Sequence, residues 1–215
     1  MTEQQPRTIG IFGPGRVGTA IARAAMAKGD TVFITGTQDP VTQQMLLDFV
    51  APGAIAASPE EVAAADLIVV AVPLPKFRAV SPELLRGKVV VDAMNYWSGT
   101  DGNLADFDDT ELSSSEVVAE HFAGAHVVKT FNHVGYRDLD PAVIARRETP
   151  VGLGVAGDDA DAVAAVTEFV ERLGFAAVPF DSLAAGRAFE PSGPIFGGLL
   201  AADELRARLA GVTVR

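Results

Sequence analysis

Ile9-Gly10-Ile11-Phe12-Gly13-Pro14-Gly15-Arg16-Val17-Gly18 closes a short β-branched run and opens an alanine-rich segment of helical period. Three glycines at this spacing carry little weight alone. Placed between a strand and a helix, they form the turn that binds a dinucleotide pyrophosphate. Each glycine has its own steric role. Gly13 permits the tight turn, Gly15 lets the backbone approach the pyrophosphate, and Gly18 lets the helix pack closely on its strand. The helix N–H groups and dipole then hold the anion. The whole turn, Gly13, Pro14, Gly15, Arg16, Val17 and Gly18, is the expected phosphate cradle. Thr19 stands where a P-loop would carry lysine, which excludes that alternative.

Outward from the turn, short β-branched segments alternate with alanine-rich stretches, the pattern of a parallel α/β sheet. Strands are expected at Thr8–Phe12, Thr31–Thr35, Ala54–Ala57, Leu67–Val72 and Lys88–Asp92. Helices are expected at Arg16–Lys28, Val41–Val50 and Pro59–Ala65. Ser58 with Glu61, and Ser113 with Glu116, each fit a capping box, the second opening a helix to about Phe122. Asn95–Thr110 reads as a long polar loop, His126–Thr130 as a sixth strand, and residues 131–150 as irregular. A last unit follows, with strand Val151–Ala156, helix Ala160–Leu173, strand Ala176–Phe180 and an amphipathic helix over Ile195–Leu209. The fold class is therefore α/β, a Rossmann-type doubly wound parallel sheet. Residues 1–150 form the dinucleotide-binding part, and 151–215 a small C-terminal α/β portion closing the cofactor cleft.

The end of the second strand chooses between NAD and NADP, because an acid there binds the ribose hydroxyls whereas hydroxyl or basic groups accept a 2′-phosphate. Thr35-Gly36-Thr37-Gln38 offers no carboxylate, and Asp39 falls too late. Thr37 and Gln38 are the expected contacts, and the reading favours NADP with NAD left open. The fourth and fifth strands should end beside the cofactor, at Val72-Pro73-Leu74 and Asp92-Ala93-Met94-Asn95. Val72 and Leu74 supply an apolar wall, Pro73 stops the strand, and Asn95 offers an amide to polar cofactor edges.

Composition narrows the chemistry. The 215 residues are 48% hydrophobic and 21% charged, as in a compact globular chain, and the net charge of −11 argues against nucleic acid and membrane surfaces. The absence of cysteine excludes thiolate nucleophiles and cysteine-ligated metals, so redox chemistry would need an organic cofactor. No signal peptide or membrane-spanning run is evident, and a cytoplasmic protein is expected. Neither Tyr96 nor Tyr136 has the lysine four residues on that short-chain reductases use, and His121, His126 and His133 lack metal-site spacing. No catalytic metal is expected. His121 and His126 read as solvated or capping, whereas His133 follows a strand end on the cofactor edge of the sheet. Asp158 and Asp159 read as a helix cap, and Asp101, Asp106, Asp108 and Asp109 as a solvated loop.

Several segments together resemble the coenzyme F420-dependent NADP reductase family. They are the Gly13–Gly18 turn, Val90-Val91-Asp92-Ala93-Met94-Asn95, the Ser115-Glu116 helix start, Val127-Val128-Lys129-Thr130-Phe131-Asn132, Ala156-Gly157-Asp158-Asp159, Leu173-Gly174-Phe175 and Phe189-Glu190-Pro191. The resemblance implies hydride exchange between NADP and coenzyme F420, an 8-hydroxy-5-deazaflavin, whose ring stacks on the nicotinamide in a cleft beside the C-terminal portion. It further implies that Thr130, Asn132 and His133 face the polar edge of the second ring, in positioning roles without a catalytic acid or base. Two departures stand out: Thr37-Gln38 where the family commonly has serine and arginine, and Tyr96-Trp97 where its better-known members have proline. Tyr96 and Trp97 keep open an NAD(P)H-dependent reductase of flavin, quinone or metal chelate, and a dinucleotide-binding sensor without turnover is a third reading. The β-hydroxyacid dehydrogenases share the first domain but need a large all-helical C-terminal domain with a catalytic lysine, whereas only about 60 residues of mixed α/β pattern follow Pro150. The apolar Ile195–Leu200 stretch is a candidate homodimer surface.

Overall fold

The computed structural model describes residues 7–108 and 111–210. Its centre is one eight-stranded sheet: β1 (Thr8–Phe12), β2 (Thr31–Thr35), β3 (Ile55–Ala56), β4 (Leu67–Val70), β5 (Val89–Asp92), β6 (His126–Lys129), β7 (Gly152–Gly157) and β8 (Ala176–Phe180). The spatial order is β3-β2-β1-β4-β5-β6-β7-β8, parallel throughout except where β7 joins β6 antiparallel. The expected doubly wound Rossmann-type sheet is present, and the last α/β unit extends that same sheet. The chain winds from β1 to one edge, then returns to add β4 on the other side of β1. Ligands of open α/β sheets bind at such a reversal, outside the carboxyl ends of the strands.

Among the described residues ten helices accompany the strands: α1 (Arg16–Met26), α2 (Pro40–Val50), α3 (Pro59–Ala63), α4 (Pro82–Leu85), α5 (Ser98–Asp101), α6 (Ala105–Asp108), α7 (Ser114–His121), α8 (Pro141–Ala145), α9 (Ala160–Leu173) and α10 (Ala202–Leu209). Strand alternation sorts side chains onto two faces. Ile9, Ile11, Val69, Val91 and Val128 pack in one layer with α1 and α9, and Ile68, Val70, Val90 and Val127 in another with Val62 of α3 and Val118 of α7. A third cluster, around Phe189, Ile195 and Leu205, seats α10. Asp30, after α1, holds Arg172 of α9 through two nitrogen–oxygen contacts of 2.6 and 2.5 Å.

Both expected capping boxes are made, Ser58 with Glu61 and Ser113 with Glu116. Asp159 caps α9 at the Ala162 N–H, while Asp158 accepts instead from the Leu183 N–H at 2.8 Å. Several elements differ from expectation. The chain leaves β4 at Val70, where its pairing with β1 and β5 ends. Within Asn95–Thr110 two short helices form, and of the acidic residues there Asp101 caps Trp97, Asp106 pairs with Arg78 and Asp108 accepts from Tyr96. Asp109 lies outside the described residues. The stretch 131–150 contains α8, capped by Asp140. The last helix covers only Ala202–Leu209, because Gly197, at φ +71°, and Gly198 break the chain before it.

Candidate functional site: a cleft at the glycine turn and a buried polar cluster beside it

A cavity of about 780 Å³ opens at the carboxyl ends of β1 and β4. Gly13, Pro14, Gly15, Thr37, Gln38, Val72 and Pro73 all line it, so seven of the residues singled out in the sequence meet at one site. The turn is tied to its neighbours by Gly13 N–H donating to Thr35 C=O at 3.0 Å and Ala71 N–H to Phe12 C=O at 2.8 Å.

The glycines differ in what requires them. Gly13 sits at φ +116°, and a Cβ there would lie 2.5 Å from the Ala71 oxygen. At Gly18 a Cβ would lie 2.1 Å from the Gly13 oxygen. Both are demanded by the protein's own packing. Gly15 is not: its backbone is ordinary extended chain, and the nearest atom to an added Cβ is the Ala71 oxygen at 4.0 Å. The space in front of Gly15 is therefore open to the cleft. The same residue starts α1 without a side-chain cap, whereas α2, α3, α7, α8 and α9 each open on an Asp or Ser that caps them. Open space and an uncapped helix start fit a bound pyrophosphate.

The other turn residues frame this point. Arg16 is exposed, its guanidinium 5.6 Å from the Tyr136 ring centre, Val17 packs against the core, and Gly18 is buried. Leu74, expected in the apolar wall, is 1% exposed and belongs to the core beneath it. Val72 and Pro73 form the wall itself. Three contributors to this region carried no readable signal. Lys76, from the one-sided 3-10 turn Leu74–Ala79, and Leu46, from α2, line the cleft with Thr37 and Gln38. Gln43 of α2 is buried under Gly36, and neither end of its amide has a hydrogen-bond partner. Glu60 lines the cleft as well.

Asn95, Thr130, Asn132 and His133 form a second group at the carboxyl ends of β5 and β6. The Asn95 amide donates to Asn132 C=O at 2.7 Å, and Asn132 Nδ2 donates to Asn95 Oδ1 at 3.3 Å and Phe189 C=O at 2.9 Å. Thr130, Asn132 and His133 are buried and do not line the large cleft. Thr130 Oγ1, Asn132 Oδ1 and His133 Nδ1 find no partner there. His133 Nε2 accepts from the Gly154 N–H at 3.1 Å, and burial pushes this imidazole down to about 4, so it is neutral at neutral pH. Phe131, between these residues, adopts φ +65°, a strained backbone for a bulky residue. That turn lets its ring pack edge-on against Phe169 while Asn132 faces Asn95.

Beneath this group Lys129 and Asp92 are both fully buried, with Nζ 3.5 Å from Asp92 Oδ2. Ser115 stands between them, its hydroxyl 2.5 Å from Asp92 Oδ2 and 2.8 Å from Lys129 Nζ. Of the aromatic pair after Asn95, Tyr96 is used within its own loop, bonding Asp108 and Gly102 C=O. Trp97, half exposed, meets Phe196 edge-on at 5.3 Å. Gly197 N–H in turn donates to His133 C=O at 2.8 Å, joining the C-terminal segment to the polar group. Of the other histidines, His126 pairs with Asp159 at 3.1 Å and His121 packs edge-on against Phe77.

Residues 8–96 match the family model described as NADP oxidoreductase, coenzyme F420-dependent. The resemblance read in the sequence holds over that span, which contains the glycine turn and Asn95 and ends before Lys129. No curated protein matches the chain significantly. Among solved structures, a hypothetical protein, SMa0349, from Sinorhizobium meliloti is 25% identical with a TM-score of 0.78, covering 93% of this chain and 97% of that one. A protein from Arthrobacter sp. FB24, described as a candidate F420-dependent NADP reductase, is 26% identical with a TM-score of 0.69, covering 85% and 88%. Glycerol-3-phosphate dehydrogenase from Coxiella burnetii, at 16% identity and a TM-score of 0.60 over 85% of this chain and 56% of that one, shares the fold. Family match and neighbours together support an NAD(P)-dependent oxidoreductase. No helix among the described residues is long and apolar enough to cross a membrane.

Proposed function

We propose that this protein transfers a hydride between NADP(H) and a deazaflavin of the coenzyme F420 type, or a closely related flavin-like ring. The observation that supports the nucleotide half is Gly15, where neither backbone nor packing requires glycine and the space beyond it is open to the cleft. The acceptor half draws on the family model and on the Arthrobacter neighbour's description. The nicotinamide brings the hydride chemistry; the protein's share is to bind, orient and exclude water. The turn and the start of α1 would hold the pyrophosphate, and Val72 and Pro73 would wall the nicotinamide ribose. Asn95, with the unpartnered Thr130 Oγ1 and Asn132 Oδ1 behind it, would meet the polar edge of the second ring. Half-exposed Trp97 supplies a π-face for that ring and is the specific feature favouring a flavin as the second reading.

The test mixes purified protein and NADPH with oxidised deazaflavin, FMN or FAD separately and follows loss of the reduced nicotinamide band. Turnover with deazaflavin is expected. Turnover with flavins alone would move the assignment to the flavin reading, and tight NADPH binding with no turnover on any ring would leave a sensor.

For the 2′-phosphate, Lys76 supplies the cation that the Thr37-Gln38 corner lacks. Lys76→Ala should raise KM for NADPH about tenfold, from one charge-assisted contact at an exposed site. KM for NADH should stay unchanged. An equal rise for both nucleotides would remove Lys76 from specificity, and a wild-type preference for NADH would sink the NADP assignment.

A further inference from the structure

Besides burying Leu47, α2 turns an apolar ridge outward. Its buried residues are Gln43 and Leu47, while Val41, Met45 and Phe49, at successive four-residue steps on one face, are 72%, 72% and 88% exposed. Leu46 and Ile55, the latter on edge strand β3, are each 42% exposed beside them. Eight large apolar side chains are exposed among the described residues, and five of them gather here, so the patch is not scattered surface.

We propose that the α2 face is where two copies of this chain associate about a twofold axis. Charge favours a second copy over a partner of another kind. The chain carries −11, so two copies repel wherever their acidic surfaces meet, and a basic partner would be drawn to those same surfaces. α2 holds a single charged residue, Asp48, and its carboxylate is bonded to Gln44 Nε2 at 2.8 Å. Asp39, at the cap, turns its carboxylate onto the Val41 and Thr42 N–H groups. Like charge is thus low on this face.

Spacing and area agree. Residues four apart form a ridge along a helix, and two identical ridges interdigitate when the helices cross at about −50°, a self-complementary arrangement that a twofold axis generates. The exposed parts of the five side chains amount to roughly 500 Å² by ordinary side-chain sizes. A stable interface needs roughly 800 Å² per partner, so the stripe provides the apolar centre and Thr42, Gln44 and Asp48 part of a polar rim. The Ile195–Leu200 stretch is less suited: Ile195 is core, Phe196 packs on Trp97, and Leu199 alone stands half exposed. Leu46 both edges the stripe and lines the cleft, so association would abut the adenosine end.

The test is sedimentation velocity of the full chain, expected to give twice the 22.4 kDa of one copy. Met45→Glu with Phe49→Glu should weaken association about a hundredfold or more, to a 22.4 kDa species with an unchanged circular dichroism spectrum, since neither side chain supports the monomer. A second probe uses Met45→Cys, which introduces the chain's sole thiol; a short bis-maleimide should then link two chains in high yield. A wild-type monomer at about 100 µM, well above the Kd of a stable dimer, overturns the proposal. So does a dimer that survives the double substitution and yields instead to Leu199→Glu, or a Met45→Cys chain that does not cross-link.

Discussion

Gly15→Val should cut affinity for NADPH by about a hundredfold or more, because a branched side chain fills the pyrophosphate's approach and forfeits two charge-assisted backbone bonds of ~1.5 kcal/mol or more each. The melting temperature should scarcely move, since Gly15 is extended and an added Cβ meets nothing nearer than 4.0 Å. Gly18→Ala provides the opposite control. Its Cβ would stand 2.1 Å from the Gly13 oxygen, so α1 must shift off β1, and stability falls together with binding. Quenching of Trp97 fluorescence, or calorimetric titration, reads the affinity, and thermal unfolding reads the fold. A Gly15→Val protein that binds NADPH as tightly as the parent would refute the cradle.

The sequence was most informative where backbone chemistry is local. Strand–turn–helix context, two capping boxes and the paired strands announce themselves through residues a few positions apart, and β1, β2, β5 and β6 end within a residue or two of expectation. It was least informative where the decision is tertiary. Lys76 reaches the cleft because the chain after Pro73 winds into a 3-10 turn rather than continuing β4, which no period of apolar residues encodes. Gln43 and Phe49 show the limit most clearly. An apolar residue at every fourth position ordinarily marks a buried face, yet here the amide lies inside and the ring outside. Pattern alone cannot distinguish a ridge that meets the core from one that meets another molecule. The Val-Lys-Thr-Phe-Asn segment lies beyond the residues that the family model matches, and its lysine's role depends on Asp92 and Ser115, brought near only when β5, β6 and α7 assemble.

Lys129→Met should destabilise the fold by roughly 3–5 kcal/mol, because it strands the Asp92 carboxylate in the core without its cation. Both side chains are fully buried, so water cannot stand in for the missing partner. Asp92→Leu combined with Lys129→Met removes both charges, and the pair should recover part of that loss: no unpaired charge remains in the core, although the Met94 N–H and the Ser115 hydroxyl lose their Asp92 partner. Recovery of stability need not restore the site. Asp92 Oδ1 accepts the Met94 N–H at 2.9 Å, and Lys129 Nζ reaches Met94 C=O at 3.5 Å and Ser114 Oγ at 3.1 Å. The network thereby sets the backbone that presents Asn95 and starts α7. The double variant is expected to unfold in urea at a midpoint between those of Lys129→Met and the parent and to turn over more slowly than the parent, with KM for NADPH unchanged because the glycine turn is untouched. Equal loss in the single and double variants would show that the lysine is needed for packing volume rather than for charge, and a double variant with parental turnover would detach the buried pair from the placement of Asn95.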